Sequence, residues 1–230
     1  MSSCVLQGFL LDDNPADVLE CKRDAEALEV AADMAGEKVT EWAASPAWKK
    51  VIAREAGVSI AANAAASSAS SLVLPFRVTR DQLDPHLIAL VHVMLAPPDE
   101  PRPFAHFLER AVGEEPANTR SATDKEGASA LDAQRWSPVE QDLSKQPAAV
   151  LRILYSYLSL LQSSFATTLA QDVEALGQIV TTIVTAAGSD RGKEEAVERE
   201  ELAIRFRIGK KRIVGEQMRR AQKAMGQVTG

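Results

Sequence analysis

The side chains best suited to acid–base or metal chemistry are three histidines, His86, His92 and His106. In a metalloprotease helix the two histidine ligands lie four residues apart, with a glutamate directly after the first. His86 and His92 are six residues apart and no glutamate lies between them, so the spacing predicts structural or solvated histidines. The two cysteines, Cys4 and Cys21, form no CxxC or Cys/His pattern. The sequence therefore predicts no metal site.

Motifs of nucleophilic or phosphate chemistry are absent from the sequence. The twelve glycines are scattered and form neither GxGxxG nor GxxxxGK[ST]. No GxSxG elbow is present, and the serines of 67–71 belong to a low-complexity stretch. Paired carboxylates such as Glu200 and Glu201 fit a charged, solvated helix face. The residues alone predict no catalytic group.

The basic residues are concentrated near the C-terminus, although the chain as a whole is acidic. Its net charge of −6 and pI near 5.2 disfavour a general nucleic-acid binder, because phosphate binding depends on surplus Lys and Arg. Between residues 205 and 223, however, eight basic side chains face one acid, Glu216. Two main interpretations stay open: a solvated helix whose long side chains cover the core, or a surface that docks an acidic partner. Binding to nucleic acid is the third interpretation of these basic residues.

The elements that must position these residues begin with a small β element. Val18–Lys22 has strand character, and the run 71–78 is a second strand candidate that Pro75 confines to a sheet edge or bulge. From residue 24 to about 56, apolar residues recur at three and four positions, which predicts helix, with a break at which Ser45 is the N-cap and Pro46 the first residue of the next helical segment. Residues 57–71 are mostly Ala, Ser and Asn and fit a helix or a linker equally.

Two amphipathic helices are predicted before a polar segment. The first ends before Pro97 and Pro98, and the apolar residues on one of its faces are Leu83, Leu87, Leu90, Val91 and Met94. The second contains Phe104 and ends at Gly113. Residues 114–138 are rich in Gly, Pro, Ser, Thr and Asp and are predicted to form a mobile loop.

Three long helices are predicted after that loop. The first has one apolar face from Val150 to Phe165, and the second opens with a capping-box pattern, Thr168 to Gln171. The positions that the second should bury are Leu169, Val173, Leu176, Val180 and Ile183. The apolar seam predicted for the last is Leu202, Phe206 and Ile213. Long helices joined by short links indicate an antiparallel bundle.

Several segments, taken together and in order, resemble one protein family. Residues 8–18, Gly-Phe-Leu-Leu-Asp-Asp-Asn-Pro-Ala-Asp-Val, are similar to the end of the SET domain in Rubisco large-subunit lysine methyltransferases and actin-histidine methyltransferases. Residues 165–172 resemble the Y-x-T-T-x-x-x-D that opens a helix of their C-terminal domain. Residues 202–213 resemble L-A-x-R-x-R-x-G-E-K-x-I-L on its last long helix. Residues 83–90 stand where the family has a matching helix, so the resemblance runs from residue 8 to about 218.

This resemblance implies a mainly α fold: an antiparallel multi-helix bundle like the substrate-binding domain of those enzymes, with a small N-terminal β element. It implies two parts, residues 1–23 as the tail of a SET domain with its linking strand, and residues 24–230 as the helical domain. In the family, the SET domain binds S-adenosylmethionine and methylates a protein side chain, and the helical domain holds the protein substrate. Gly8, Phe9 and Leu10 correspond to the last cofactor-contacting stretch and are the candidate cofactor-binding residues.

Departures from the family pattern shape the predicted function. The family's Asn-His cofactor motif and catalytic Tyr precede the part that the chain matches, Gln7 stands where Tyr is usual, and Lys210 replaces a Glu. We therefore expect a protein-substrate-binding module that lacks the catalytic core and binds no cofactor alone. Two alternatives stay open: a fragment of an active S-adenosylmethionine-dependent protein-lysine methyltransferase, and a helical scaffold unrelated to methyl transfer.

Partners and compartment follow from composition. Proteins are the expected partners; nucleic acid and membranes are not, because the chain is acidic and no apolar run approaches the roughly 20 residues of a membrane helix. Asp12, Asp13 and Asp17 oppose a targeting peptide. The cysteine usage fits a reducing intracellular compartment, whether cytoplasm, plastid or nucleus.

Overall fold

The computed structural model describes residues 18–21, 25–39, 76–96, 104–112, 141–185 and 191–228. Two strands lie in these ranges, β1 (Leu19–Cys21) and β2 (Phe76–Val78), and a 3-10 turn, Leu143–Lys145, is also present. The helices of the described ranges are α1 (Ala25–Met34), α2 (Pro85–Leu95), α3 (Phe104–Val112), α4 (Ala148–Ser163), α5 (Leu169–Thr185) and α6 (Arg191–Val228). The prediction of a mainly helical fold with a small N-terminal β element is confirmed.

The core is built around α2, which is buried on every side from Leu87 to Met94. A helix that is apolar all round belongs in the centre of a domain, and the whole stripe predicted for it is buried. α3 packs on α2, and α4 contacts α1, α2 and α6. α4 contributes buried residues from Val150 to Leu158, as its pattern predicts. This arrangement leaves α5 outside the core, with α6 as its main neighbour among the described elements.

The two strands form an antiparallel ribbon that closes one end of the core. Cys21 lies opposite Phe76, and Leu19 lies opposite Val78. Phe76, Val78 and Cys21 are buried, as expected for alternate residues on one face of a sheet. Burial raises the pKa of the Cys21 thiol to about 12, and the negative charge of nearby Asp84 adds to the effect.

We expect Cys21 to resist alkylation in the folded protein at neutral pH. Its thiol is buried, and a pKa near 12 leaves almost no reactive thiolate. In a Cys4→Ser variant, Cys21 is the only thiol, and mass spectrometry should find slow labelling by iodoacetamide in buffer and rapid labelling in denaturant. Rapid labelling of the folded variant would contradict the position of β1 in the core.

The helix predicted from residue 24 to the break at Ser45 ends earlier than its pattern indicates. α1 ends at Met34, and Gly36 has φ 68°, a conformation that glycine adopts without strain. The amide of Gly36 donates to the carbonyl of Asp33, and the amide of Glu37 donates to that of Ala32, both at 3.0 Å. This double hydrogen bond is a Schellman motif and terminates the helix. Residues 40–75, with the ambiguous segment 57–71, and the predicted loop 114–138 lie outside the described residues.

The burial predicted for α5 is wrong for three of its apolar residues. Leu169, Val173 and Val180 are 38%, 48% and 42% exposed. The side of α5 that faces α6 is instead centred on Asp172, which is 1% exposed, with half-buried Leu176 beside it. Because a buried charge occupies the contact face, the apolar residues are turned toward its edge and outward. The side chain of Ile183 lies outside the described set.

The seam predicted for α6 is also wrong in register. Phe206 is 48% exposed and Leu202 is half-buried, whereas Ile213 is buried as predicted. The positions that face the protein at steps of three and four are Ile204, Ile208, Lys211, Val214, Gln217, Ala221 and Ala224. Two of these side chains are polar, so the hydrophobic pattern of the sequence points to the wrong face.

The corrected register changes the expected effect of two truncations. The pattern of the sequence alone predicts a loss of about 3–5 kcal/mol for Phe206→Ala, as for a buried aromatic side chain. With half of Phe206 exposed, we now expect about 1 kcal/mol or less, part of it from the Lys210 ammonium 4.7 Å from the ring centroid. Ile208→Ala should cost about 2–4 kcal/mol. Urea unfolding of both variants tests this ranking, and the reverse order would restore the original register.

Candidate protein-binding site

The C-terminal half of α6 is fixed to two loops by polar side chains. The fully buried Gln217 donates from Nε2 to the carbonyls of Thr79 and Arg80, both at 2.8 Å. Arg220 donates to the carbonyl of Gln141 at 2.7 Å and to that of Asp81. Because the acceptors are backbone atoms, these bonds fix the path of both loops along the helix.

A groove of about 1080 Å³ lies between α6 and these loops. Five basic side chains and three acidic ones line it, which gives a surplus of positive charge in a chain of net charge −6. The basic residues are Arg80, Arg212, Arg219, Arg220 and Lys223; the acidic residues are Asp81, Asp142 and Glu216. We call this set the basic groove. It is a local site of the kind that docks an acidic group.

The charges of the basic groove are not equally available. Arg219 pairs with Glu216 at 2.5 Å. Asp142 accepts hydrogen bonds from the hydroxyl and the amide of Ser144, which lower the pKa of its carboxyl group and keep it ionised. Arg212 and Lys223 are exposed, and neither forms an ion pair with another described residue. These two cations are therefore the ones best placed to meet a ligand.

A buried ion pair joins α5 to α6 beside the basic groove. The ammonium of Lys211, 3% exposed, bonds the carboxylate of Asp172 and the hydroxyl of Thr167, the latter at 2.7 Å. Thr167 donates to Asp172 at 2.8 Å, and Nε of Arg207 lies 3.4 Å from that carboxylate. Burial by itself would raise the pKa of Asp172, but the hydrogen bonds and the charges of Lys211 and Arg207 outweigh it and lower the pKa.

The first turn of α5 is set by the capping box that its sequence predicts. The amide of Gln171 donates to the hydroxyl of Thr168 at 3.2 Å, and the side chain of Gln171 accepts from the amide of Thr168 at 2.7 Å. With its start fixed in this way, α5 brings Leu169 to the wall of the basic groove. Val173 and Val180 follow on the same side of the helix, four and eleven residues on. We call these three exposed residues the apolar stripe.

The structure divides the basic run that the sequence singles out. Lys211 and Arg207 serve the ion pair with Asp172, Arg205 pairs with Glu201 at 2.8 Å, and Lys210 donates to the carbonyl of Val18 at 2.7 Å. Structural roles therefore account for this part of the run. The part beyond residue 211 supplies the basic groove. A basic surplus near the end of the last helix, in a chain of net charge −6, is the signal that points to it.

The three histidines that the sequence singles out do not line the basic groove. Gly8, Phe9 and Leu10 are outside the described residues, and their assignment to a cofactor stays a prediction. His92 is buried and its Nε2 lies 2.8 Å from Oε1 of Gln146, while His86 packs against the ring of Phe104. No group of three potential metal ligands occurs in the described ranges. Nor does any helix in that part of the chain have the length and apolar character needed to cross a membrane.

Comparison with known proteins identifies the family. The model of a family described as Rubisco LSMT substrate-binding matches residues 46–214, more than half of the chain. The chain belongs to this family, and the resemblance noted at residues 165–172 and 202–213 is confirmed. No curated protein matches the chain significantly. Because the match ends within α6, much of the basic groove is built by residues 215–228 beyond it.

Proposed function

We propose that this chain binds the protein substrate of a SET-type protein-lysine methyltransferase and does not itself contain the catalytic core. The observation that carries the proposal is the family match over residues 46–214, which takes in α2 to α5 and most of α6. A substrate-binding module of a methyltransferase-like protein is what that family provides. Lysine as the modified side chain is the further step of the proposal.

The character of the described surface supports a protein ligand. S-adenosylmethionine carries a sulfonium cation, and methyl transfer needs a narrow, water-poor channel that holds the reacting atoms in line. The basic groove is open and has surplus positive charge, so it fits neither the cation nor the channel. An open groove of charged side chains beside exposed apolar residues instead resembles the mixed surface of protein interfaces.

Calorimetry with S-adenosylmethionine separates this proposal from the alternative of an active enzyme. We expect no binding heat when the cofactor is titrated into the purified chain. Binding in the micromolar range would mean that the chain forms a cofactor site, and the module interpretation would then be wrong. A Gly8→Trp variant provides the matched control, because loss of such binding would place the cofactor at residues 8–10.

Site-directed photo-crosslinking tests the binding role itself. Gln227 is exposed and lines the basic groove, so a photo-reactive residue at that position should capture the protein substrate in an extract of the source cells. The same residue in place of Glu109, exposed on α3, is the control. We expect one defined product from position 227 and none from position 109. Equal capture at the two positions would contradict a binding site at the groove.

A further inference from the structure

We propose that the basic groove and the apolar stripe together bind an extended acidic segment of the protein substrate. Acidic side chains of the segment meet Arg212 and Lys223, and an apolar side chain packs on Leu169. The identity of the bound protein as a methylation substrate rests on the function proposed above; the chemistry of the bound segment rests on the groove alone.

Charge complementarity selects the class of segment. Arg212 and Lys223 project from one side of α6, eleven residues apart, and have no carboxylate partner among the described residues. A carboxylate on an incoming peptide would supply that partner at little desolvation cost, since both cations are at the solvent edge. Arg219 and Glu216 lie between them in sequence, and their charges are already paired with each other. The site therefore favours separated acidic residues over a single anion.

The groove is held in shape by bonds that do not involve a ligand. Gln217 and Arg220 anchor the loops at Thr79–Asp81 and Gln141, and the amide of Leu83 donates to the Gln141 side chain at 3.0 Å. A surface that is already ordered loses little conformational freedom on binding, which favours affinity for a short peptide. The exposed cations, by contrast, take no part in these bonds, so they are available for recognition.

The dimensions of the site set the length of the segment. From Arg212 to Gln227, α6 extends about 22 Å at 1.5 Å per residue. An extended peptide of about seven residues covers that distance. Leu169 forms part of the wall, and Val173 and Val180 continue the exposed apolar surface along α5. An acidic segment with an apolar residue beside the acids matches both surfaces.

Nucleic acid is the less suitable ligand for the same site. A phosphate backbone presents an unbroken row of negative charges, and affinity for it grows with the number of phosphates neutralised. Asp81, Asp142 and Glu216 also line the groove and would repel such a row. A peptide can instead carry acidic residues spaced to meet the cations, and uncharged residues opposite the acids of the groove.

Fluorescence anisotropy with a labelled peptide tests the inference. The probe is a peptide of about eight residues whose glutamates are separated by uncharged residues, with a leucine beside one of them, and its counterpart has glutamine in place of glutamate. We expect the acidic probe to bind the intact chain and the glutamine probe not to. R212E/K223E should weaken binding about tenfold or more, and R212Q/K223Q should weaken it less. Leu169→Ala should weaken binding of this probe but not of the same peptide with alanine in place of leucine.

The matched control is R110E/R199E, which changes the net charge equally at two exposed positions away from the groove. We expect this variant to bind within about twofold of the unchanged chain. Equal weakening by R110E/R199E and R212E/K223E would show that only the overall charge matters, and this result would overturn the inference. Tighter binding of an oligothymidine of similar length than of the acidic peptide would overturn it in favour of nucleic acid. Thermal unfolding of each variant checks that the fold is retained.

Failure of this inference can be told from failure of the proposed function. If the protein captured at position 227 binds R212E/K223E as tightly as the unchanged chain, the acidic-segment inference is wrong while substrate binding stands. If the acidic probe binds as expected but no protein is captured, the groove chemistry stands and the proposed function fails.

Discussion

Replacing Lys211 by alanine is expected to destabilise the protein by about 3–5 kcal/mol. The change removes the main partner of the Asp172 carboxylate, which is 1% exposed and would be left as a buried charge. Arg207 at 3.4 Å offers only partial compensation, because it approaches from the exposed side of the pair. Urea unfolding followed by circular dichroism measures the loss.

The double variant Lys211→Met/Asp172→Leu is the control for this prediction. It keeps the volume of both side chains and removes both charges, so it should be clearly more stable than either single variant. Its acid sensitivity should also differ. Because the folded-state pKa of Asp172 is lowered, the pair stabilises the native protein above pH about 4 and loses that contribution as the pH falls further. The double variant should lack this loss. A cost below about 1 kcal/mol for Lys211→Ala would contradict the buried pair.

The second large effect is expected at Asp84, which is fully buried at the junction of β2 and α2. Its Oδ1 accepts from the amide of His86 at 3.0 Å and caps α2, and its Oδ2 accepts from the amide of Arg77 at 3.2 Å. Asp84→Ala leaves both amides without this acceptor and should cost about 2–4 kcal/mol. Thermal or urea unfolding measures it.

Asp84→Asn is the matched control, because it preserves the shape of the side chain and one acceptor oxygen. We expect a loss intermediate between the native protein and the alanine variant, since one of the two amides then faces an NH₂ group. Alanine and asparagine variants of equal stability would show that the hydrogen bonds contribute little and that only volume matters at this position.

The parts of the fold that the sequence predicts well depend on local or strongly periodic signals. The stripe from Leu83 to Met94 is buried as predicted because α2 lies in the centre of the core and most of its residues are apolar. The capping box at Thr168 and Gln171 forms as predicted because its bonds join residues three apart. Strand character around Leu19 likewise identifies a real strand, although its partner β2 lies more than fifty residues away.

The errors arise where buried polar groups replace apolar ones. Lys211 and Gln217 occupy the inner face of α6, so a hydrophobic pattern drawn through Phe206 selects the outer face. Asp172 occupies the inner face of α5 in the same way, so the apolar stripe is turned outward. An acid on the inner face of a largely apolar helix, with a lysine available on the next helix, is the signal that could have revealed this pair.

The basic groove could be predicted only in part. The surplus of basic residues at the end of α6 is visible in the sequence, and docking of an acidic partner is one of its two main interpretations. Which cations are free is not visible, because Arg220 and Lys211 are bound by groups that come from distant segments. Only the fold brings Arg80, Gln141 and Lys223 to one groove.

The most direct test of the central claim is a mass-spectrometric search for methylated side chains in the protein captured at position 227. A protein substrate of a lysine methyltransferase must carry at least one lysine that becomes methylated in the source cells. We predict that the captured protein contains Nε-methyl-lysine. A captured protein whose lysines and histidines are all unmethylated would contradict the account and favour a helical scaffold with no part in methyl transfer.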